Sequence, residues 1–233
     1  GGGGGVIVPS EITELHEYGV ARIFSPDDGR ELGLEGMIAL MVQACDQNPA
    51  DDHKEAFAEL ETACQEGRSI QDVHLARLLS VLEAPEGQPG QAQLRERVQE
   101  LLKESGQADS SHTDFVPTVG FTGTGGSGKS SLVDEVCRRL LEQLPDRRIA
   151  VISVDPSRRR TGGALLGDRI RMNSLGLHAG EVNQPLFMRS QATRQAHQAT
   201  SSALADSIAL CRLAGFDMII AETAGIGQSD SAI

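Results

Sequence analysis

The sequence contains no run approaching the roughly eighteen apolar residues that a membrane-spanning helix needs, and its mean hydropathy is −0.22. A basic-then-apolar leader and an initiator Met are both absent, so no targeting signal can be read, and a cytoplasmic location is expected. No internal repeat is evident. The four cysteines, Cys45, Cys64, Cys137 and Cys211, form no CxxC and show no metal-ligand spacing; reduced thiols are expected. The six histidines (His16, His53, His74, His112, His178 and His197) show no ligand spacing either and are expected on the surface. Positive charge is in short supply, with 21 Lys+Arg against 33 Asp+Glu and a net charge of −12, which argues against a nucleic acid or a membrane surface as partner. The opening run Gly1–Gly5 is an odd start for a natural chain and suggests a piece of a longer one.

What is present divides in two. With 39% apolar residues, 233 residues can build the cores of one or two domains. Residues 1–114 hold 22 acids and 8 basic residues, whereas residues 115–233 hold 11 and 13. The positive surplus falls in the second half, where a polyanionic ligand would want it.

Residues 1–45 read as the end of an α/β domain: Ser10 as N-cap of a helix over 11–18, a buried strand at Val20–Phe24, a turn at Ser25–Gly29, and a helix near 30–45. Residues 46–114 read as a helical linker. Its three apolar faces are Phe57/Leu60/Cys64, Leu75/Leu78/Leu79/Leu82 and Leu94/Val98/Leu101/Leu102, and Ser69-x-x-Asp72 resembles a capping box for the second helix. From residue 115 strands and helices alternate. Strands are predicted at Val116–Thr122, Arg148–Val154 and Phe216–Glu222, and helices at Lys129–Leu144 and Ala192–Leu213. This alternation predicts a mainly parallel sheet covered by helices, with the domain incomplete at Ile233.

Gly123-Thr124-Gly125-Gly126-Ser127-Gly128-Lys129-Ser130 fits GxxxxGK[ST] at every fixed position. Glycines let backbone N–H groups wrap phosphates, Lys129 supplies a point charge for the β- and γ-phosphates, and the Ser130 hydroxyl can bind Mg²⁺. The same residues also fit GxGxxG, with Asp155 where a ribose-binding acid would sit; Lys129-Ser130 is not required by that dinucleotide fingerprint. Downstream, Asp155, Arg158-Arg159-Arg160, Gly162-Gly163 and Asp168-Arg169-Ile170-Arg171 suit a mobile loop whose acids hold Mg²⁺ through its water shell. The arginines either neutralise a transferring phosphoryl group or form a solvated face. Glu222-x-x-Gly225 follows an apolar strand; Glu222 can orient a metal-bound or attacking water, and the Gly225 N–H can sense the γ-phosphate.

Together GTGGSGKSS, VDPSRRRTGGALLGDRIRMN and ETAGIGQSD resemble the metallochaperone-type GTPases that serve adenosylcobalamin-dependent acyl-CoA mutases. The N-terminal GGGGVIVPSEITELHEYGVARIFSPDDG looks like the end of a flavodoxin-like cobalamin-binding domain, and the order of segments is similar to the fused isobutyryl-CoA mutases. The resemblance implies GTP and Mg²⁺ as ligands, with adenosylcobalamin in the intact protein. Gly123 to Ser131 would then form the phosphate loop, with Lys129, Ser130, Asp155, Asp168 and Glu222 forming the phosphate and metal site. Lys129, Glu222 and Asp168 would carry catalysis, and Gly225 to Asp230 would be the γ-phosphate sensor. Cobalamin-binding and acyl-CoA mutase domains on the same chain and a homodimer are implied as partners. A stand-alone methylmalonyl-CoA mutase-associated GTPase chaperone and an ATP-using small-molecule kinase remain as alternatives. No base-reading motif is present to separate GTP from ATP.

Overall fold

The computed structural model describes residues 8–46, 53–84, 87, 89–109, 111, 115–156, 172–176, 184–193 and 202–223. It divides into two compact units, residues 1–48 and residues 49–233. No helix among the described residues is long and apolar enough to cross a membrane.

In the first unit, α1 spans Pro9–Glu17 and α2 spans Pro26–Cys45. The segment expected as a strand at 20–24 carries only an isolated bridge residue at Phe24, although Ile23 and Phe24 are buried. The expected turn at 25–29 is instead the start of α2. The Ser25 Oγ accepts from the Asp28 N–H at 3.1 Å, the Asp28 carboxylate accepts from the Ser25 N–H at 2.7 Å, and Pro26 occupies the first helical position. Ser-Pro-Asp-Asp serves a turn and a capped helix equally well, and here it caps a short helical stretch that breaks at Gly33 (φ 63°, ψ 177°) before the remainder of α2.

The second unit runs α3 (Lys54–Glu66), α4 (Asp72–Glu83), α5 (Gln91–Glu104), β1 (Thr118–Phe121), α6 (Lys129–Gln143), β2 (Ile149–Pro156), a 3-10 turn at Asn173–Gly176, β3 (Leu186–Thr193), α7 (Ser202–Leu213) and β4 (Met218–Thr223). The four described strands pair in parallel in the order β1-β4-β2-β3. Side-chain alternation splits the strands between two cores, as a sheet covered on both faces requires. Ala150, Ile152, Val154, Ile219 and Ala221 pack against α3, α4, α5 and α7. Ile149, Val151, Leu186, Met188 and Ile220 pack against Val133, Cys137 and Leu141 of α6.

Residues 54–104 therefore form part of the helical layer on one face of the sheet. Leu60, Leu75, Leu78, Leu79, Leu82 and Leu94 are almost completely buried, each contributing roughly 1.5–3 kcal/mol. Gln91 is also buried because its Nε2 donates to the Val81, Leu82 and Ala84 carbonyls, satisfying the end of α4. The expected Ser69–Asp72 capping box does not form: Gln71 is the N-cap without a side-chain bond. Asp72 instead accepts from Arg148 Nη2 at 2.7 Å and from the Gln184 N–H at 3.1 Å. The long helix expected over 192–213 is also corrected. Residues 192–193 belong to strand β3 (Leu186–Thr193), at the edge of the described sheet, and the described part of the helix is Ser202–Leu213.

Candidate functional site

The carboxyl edge of the sheet gathers the sequence motifs. β1 ends at Phe121 and leads into the glycine-rich loop, which returns as α6 with Gly128 as its left-handed N-cap (φ 88°, ψ 15°). Lys129 and Ser130 are thus the first residues of a helix whose free N–H groups face the loop. Thr124, Gly125, Gly126, Ser127 and Gly128 are exposed, as is Ser131 on the first turn. Lys129 Nζ donates to the Gly123 carbonyl at 2.9 Å and the Thr124 carbonyl at 3.1 Å. Its ammonium therefore lies within the curl of the loop.

Parallel register brings Glu222 alongside. It pairs with Phe121 on one side and Ser153 on the other, and is only 2% exposed. The Ser130 Oγ donates to Glu222 Oε1 at 2.6 Å, joining residues 92 apart in sequence. Next to it, the Thr223 hydroxyl donates to Thr122 Oγ1 at 3.1 Å and lies 3.4 Å from the Phe121 carbonyl, tying the end of β4 to the base of the loop. The sequence reading did not single out Thr122 and Thr223; their positions, directly after the β1 strand and directly after Glu222, were the available signal.

Of the other candidates, Asp155 is the penultimate residue of β2, beside Ala192 of β3 at the same edge. Its side chain, Asp168, Gly225 and the arginine loop lie outside the described residues. The chain that follows that loop is held on α6 by Asp134, another residue the sequence did not flag. Asp134 accepts from the Ser174 Oγ (2.6 Å), the Ser174 N–H (3.0 Å), the Asn173 N–H (3.2 Å) and the Asn173 Nδ2 (3.4 Å). Burial pushes the Asp134 carboxyl upward, but these bonds outweigh it and hold the group below the ordinary value of 3.8. Cys137, one helical turn on, is pushed up to about 12 by burial and by the charges of Asp134 and Glu222. It is an inert thiol. All four cysteines are free, and among the described residues no group of three His, Cys, Asp or Glu side chains gathers as a metal cluster.

A glycine-rich loop from strand to helix, with a buried carboxylate on its serine at the carboxyl edge of a parallel sheet, defines a P-loop nucleoside triphosphatase. The Lys129-Ser130 geometry also decides against the dinucleotide alternative, in which neither side chain has a task. The chain matches the family described as methylmalonyl Co-A mutase-associated GTPase MeaB over residues 75–233, and it belongs to that family. It is 47% identical over its whole length to a fused isobutyryl-CoA mutase of Geobacillus kaustophilus, covering 20% of that protein. It is 50% identical to a fused isobutyryl-CoA mutase of Cupriavidus metallidurans, covering 19% of it. The chain thus spans about a fifth of the length of these curated relatives. Among solved structures, a LAO/AO transport system kinase aligns with 76% of this chain and 45% of its own at 23% identity and a TM-score of 0.46.

Proposed function

We propose that this chain is the GTP-hydrolysing chaperone portion of a cobalamin-dependent acyl-CoA mutase of the fused isobutyryl-CoA type, coupling nucleotide hydrolysis to loading or protection of the cobalamin cofactor. The observation that carries the site assignment is the 2.6 Å bond between the P-loop Ser130 hydroxyl and the buried Glu222 carboxylate. A hydroxyl and a carboxylate are hard oxygen donors, and together they fit Mg²⁺, which takes few protein ligands and keeps its waters. Ser130 and Glu222, joined by Asp155 and Asp168, would hold the ion. Once bound, it supplies charge neutralisation at the β- and γ-phosphate oxygens.

The chain's own groups do the rest. The N–H groups of 123–131 cradle the phosphates, and Lys129 exchanges its two carbonyl partners for phosphate oxygens. Glu222 orients a water, whose oxygen bonds to the γ-phosphorus as the bond to the bridging oxygen breaks. GDP and inorganic phosphate leave with the water's proton. The Gly225 N–H registers the loss of the γ-phosphate.

Residues 1–45 would be the end of the cobalamin-binding domain, and the intact chain a homodimer that also carries the mutase. The two matches to fused isobutyryl-CoA mutases, which span the whole of this chain, support this reading. The test is phosphate release by the full-length protein, with GTP and ATP in competition. A preference for GTP is expected. Equal or better use of ATP would favour the kinase alternative, and absence of release would leave only a nucleotide-binding module.

A further inference from the structure

On the face of β3 turned toward α4 and α7, the side chains run Phe187, Arg189, Gln191, becoming more polar toward the carboxyl edge. Glu83, the last residue of α4, meets this gradient. It accepts from Arg189 Nε at 2.8 Å and Nη2 at 3.0 Å, and from Gln191 Nε2 at 3.3 Å. Arg189 Nη2 also donates to Ser80 Oγ at 3.1 Å, and Gln191 Nε2 donates to Ser207 Oγ of α7 at 2.6 Å. Gln191 and Ser207 are fully buried, beside an apolar core. Replacing a buried or half-buried ion pair by apolar residues of similar size is often neutral or stabilising, so what such a cluster adds is mainly geometry.

What it fixes is set by the register. Gln191 pairs with Val154, and Val154 pairs with Thr223, the residue after Glu222. The row before it runs Ser190, Ser153, Glu222, Phe121 across all four strands. The cluster therefore lies behind the nucleotide edge, on the opposite face of the strands that deliver it. At its other end α4 is fastened again, by Asp72 to Arg148 and to the Gln184 N–H.

We propose that Glu83 is a positioning residue for nucleotide hydrolysis. Its pair with Arg189 sets the carboxyl ends of β3 and β2, and through their register the row that holds Glu222. A displacement of α4 is thereby felt at the site. The proposal rests on the GTPase assignment, and the experiment separates the two.

In the full-length protein, kcat and KM for GTP, affinity for a non-hydrolysable GTP analogue and Tm are measured for wild type, Glu83→Ala, Glu83→Gln, the swap Glu83→Arg with Arg189→Glu, and Asp72→Asn. Glu83→Ala is expected to lower kcat about tenfold with KM and analogue affinity within twofold, Glu83→Gln less so, and the swap to recover at least half of the lost rate. Asp72→Asn, at the far end, is expected to lower Tm while keeping kcat. The proposal is overturned if Glu83→Ala keeps its kcat within twofold of wild type. It is equally overturned if the Glu83 and Asp72 variants lose rate in proportion to lost Tm. A wild-type protein that hydrolyses no GTP would instead refute the GTPase assignment itself, and this inference with it.

Discussion

The packing of α3 and α4 onto the nucleotide-binding sheet can be tested at a single backbone position. Gly215, in the turn between α7 and β4, has φ +83°, and a Cβ there would lie 2.6 Å from Ser69 Oγ, 2.8 Å from Ser69 Cα and 3.0 Å from Ser69 Cβ. The hydroxyl can rotate away but the Cα cannot, so the α3–α4 loop must retreat. Two bonds join that loop to the same turn: the Ile70 N–H to the Ala214 carbonyl at 3.3 Å, and the Ser69 hydroxyl to the Gly215 carbonyl at 3.4 Å. Gly215→Ala thus combines about 1 kcal/mol for a left-handed alanine with about 1 kcal/mol for each loosened bond, or about 3 kcal/mol together.

Gly67 supplies the control. It is the C-cap of α3, with φ +65°, and a Cβ on it would meet nothing within 4 Å, so Gly67→Ala carries the backbone cost of about 1 kcal/mol alone. At roughly 2–4 °C per kcal/mol for a unit of this size, the expected losses in Tm are about 6–12 °C and about 2–4 °C. Thermal melting followed by circular dichroism measures both. Equal shifts would refute the close approach of the helical layer to the α7–β4 turn.

Three further outcomes are expected. Lys129→Ala should abolish GTP hydrolysis while leaving the far-ultraviolet spectrum intact, because the ammonium bonds to the Gly123 and Thr124 carbonyls of the loop and braces no helix or strand; retained turnover would remove it from the site. Glu222→Ala should cut kcat about a hundredfold or more while changing analogue affinity much less, as read by steady-state kinetics and equilibrium binding. Asp134→Asn should flatten the acid side of the stability profile. The folded carboxyl titrates below 3.8, so its contribution is fully present above that value and lost as pH falls through the lower folded one. Urea melts from pH 7 downward should show the gap between wild type and variant closing as pH falls below 3.8, and a gap independent of pH would contradict the hydrogen-bonded carboxylate.

The parts of the fold that sequence made legible are those where one local cause dominates. Glycines, a lysine and a serine at fixed offsets have a chemical reason to stand together, and the run Met218–Ala221 has few alternatives to a buried strand. β3 was illegible for the opposite reason. Arg189 and Gln191 look like the polar side of a helix, and partners distant in sequence, Glu83 and Ser80 for Arg189 and Ser207 and Glu83 for Gln191, make them acceptable in a covered strand. Ser69-x-x-Asp72 failed in the same way. The aspartate that local spacing assigns to a cap is claimed by Arg148, 76 residues away.

The charge asymmetry between the two halves also has a structural use. The basic surplus of residues 115–233 invites the picture of a positive field around the phosphate loop, but the described arginines of that half are engaged elsewhere. Arg138 and Arg139 pair with Glu135 on their own helix, and Arg147 with Asp217. Arg148 and Arg189 pair with Asp72 and Glu83 of the acidic helical layer, while Arg212 stacks over Phe115. Two of these pairs, Arg148–Asp72 and Arg189–Glu83, join the acidic helical layer to the sheet. Among the described residues, the cation within the loop is Lys129 alone. Of the described groups, the N–H groups of the loop, the start of α6 and Lys129 are those placed to meet a triphosphate.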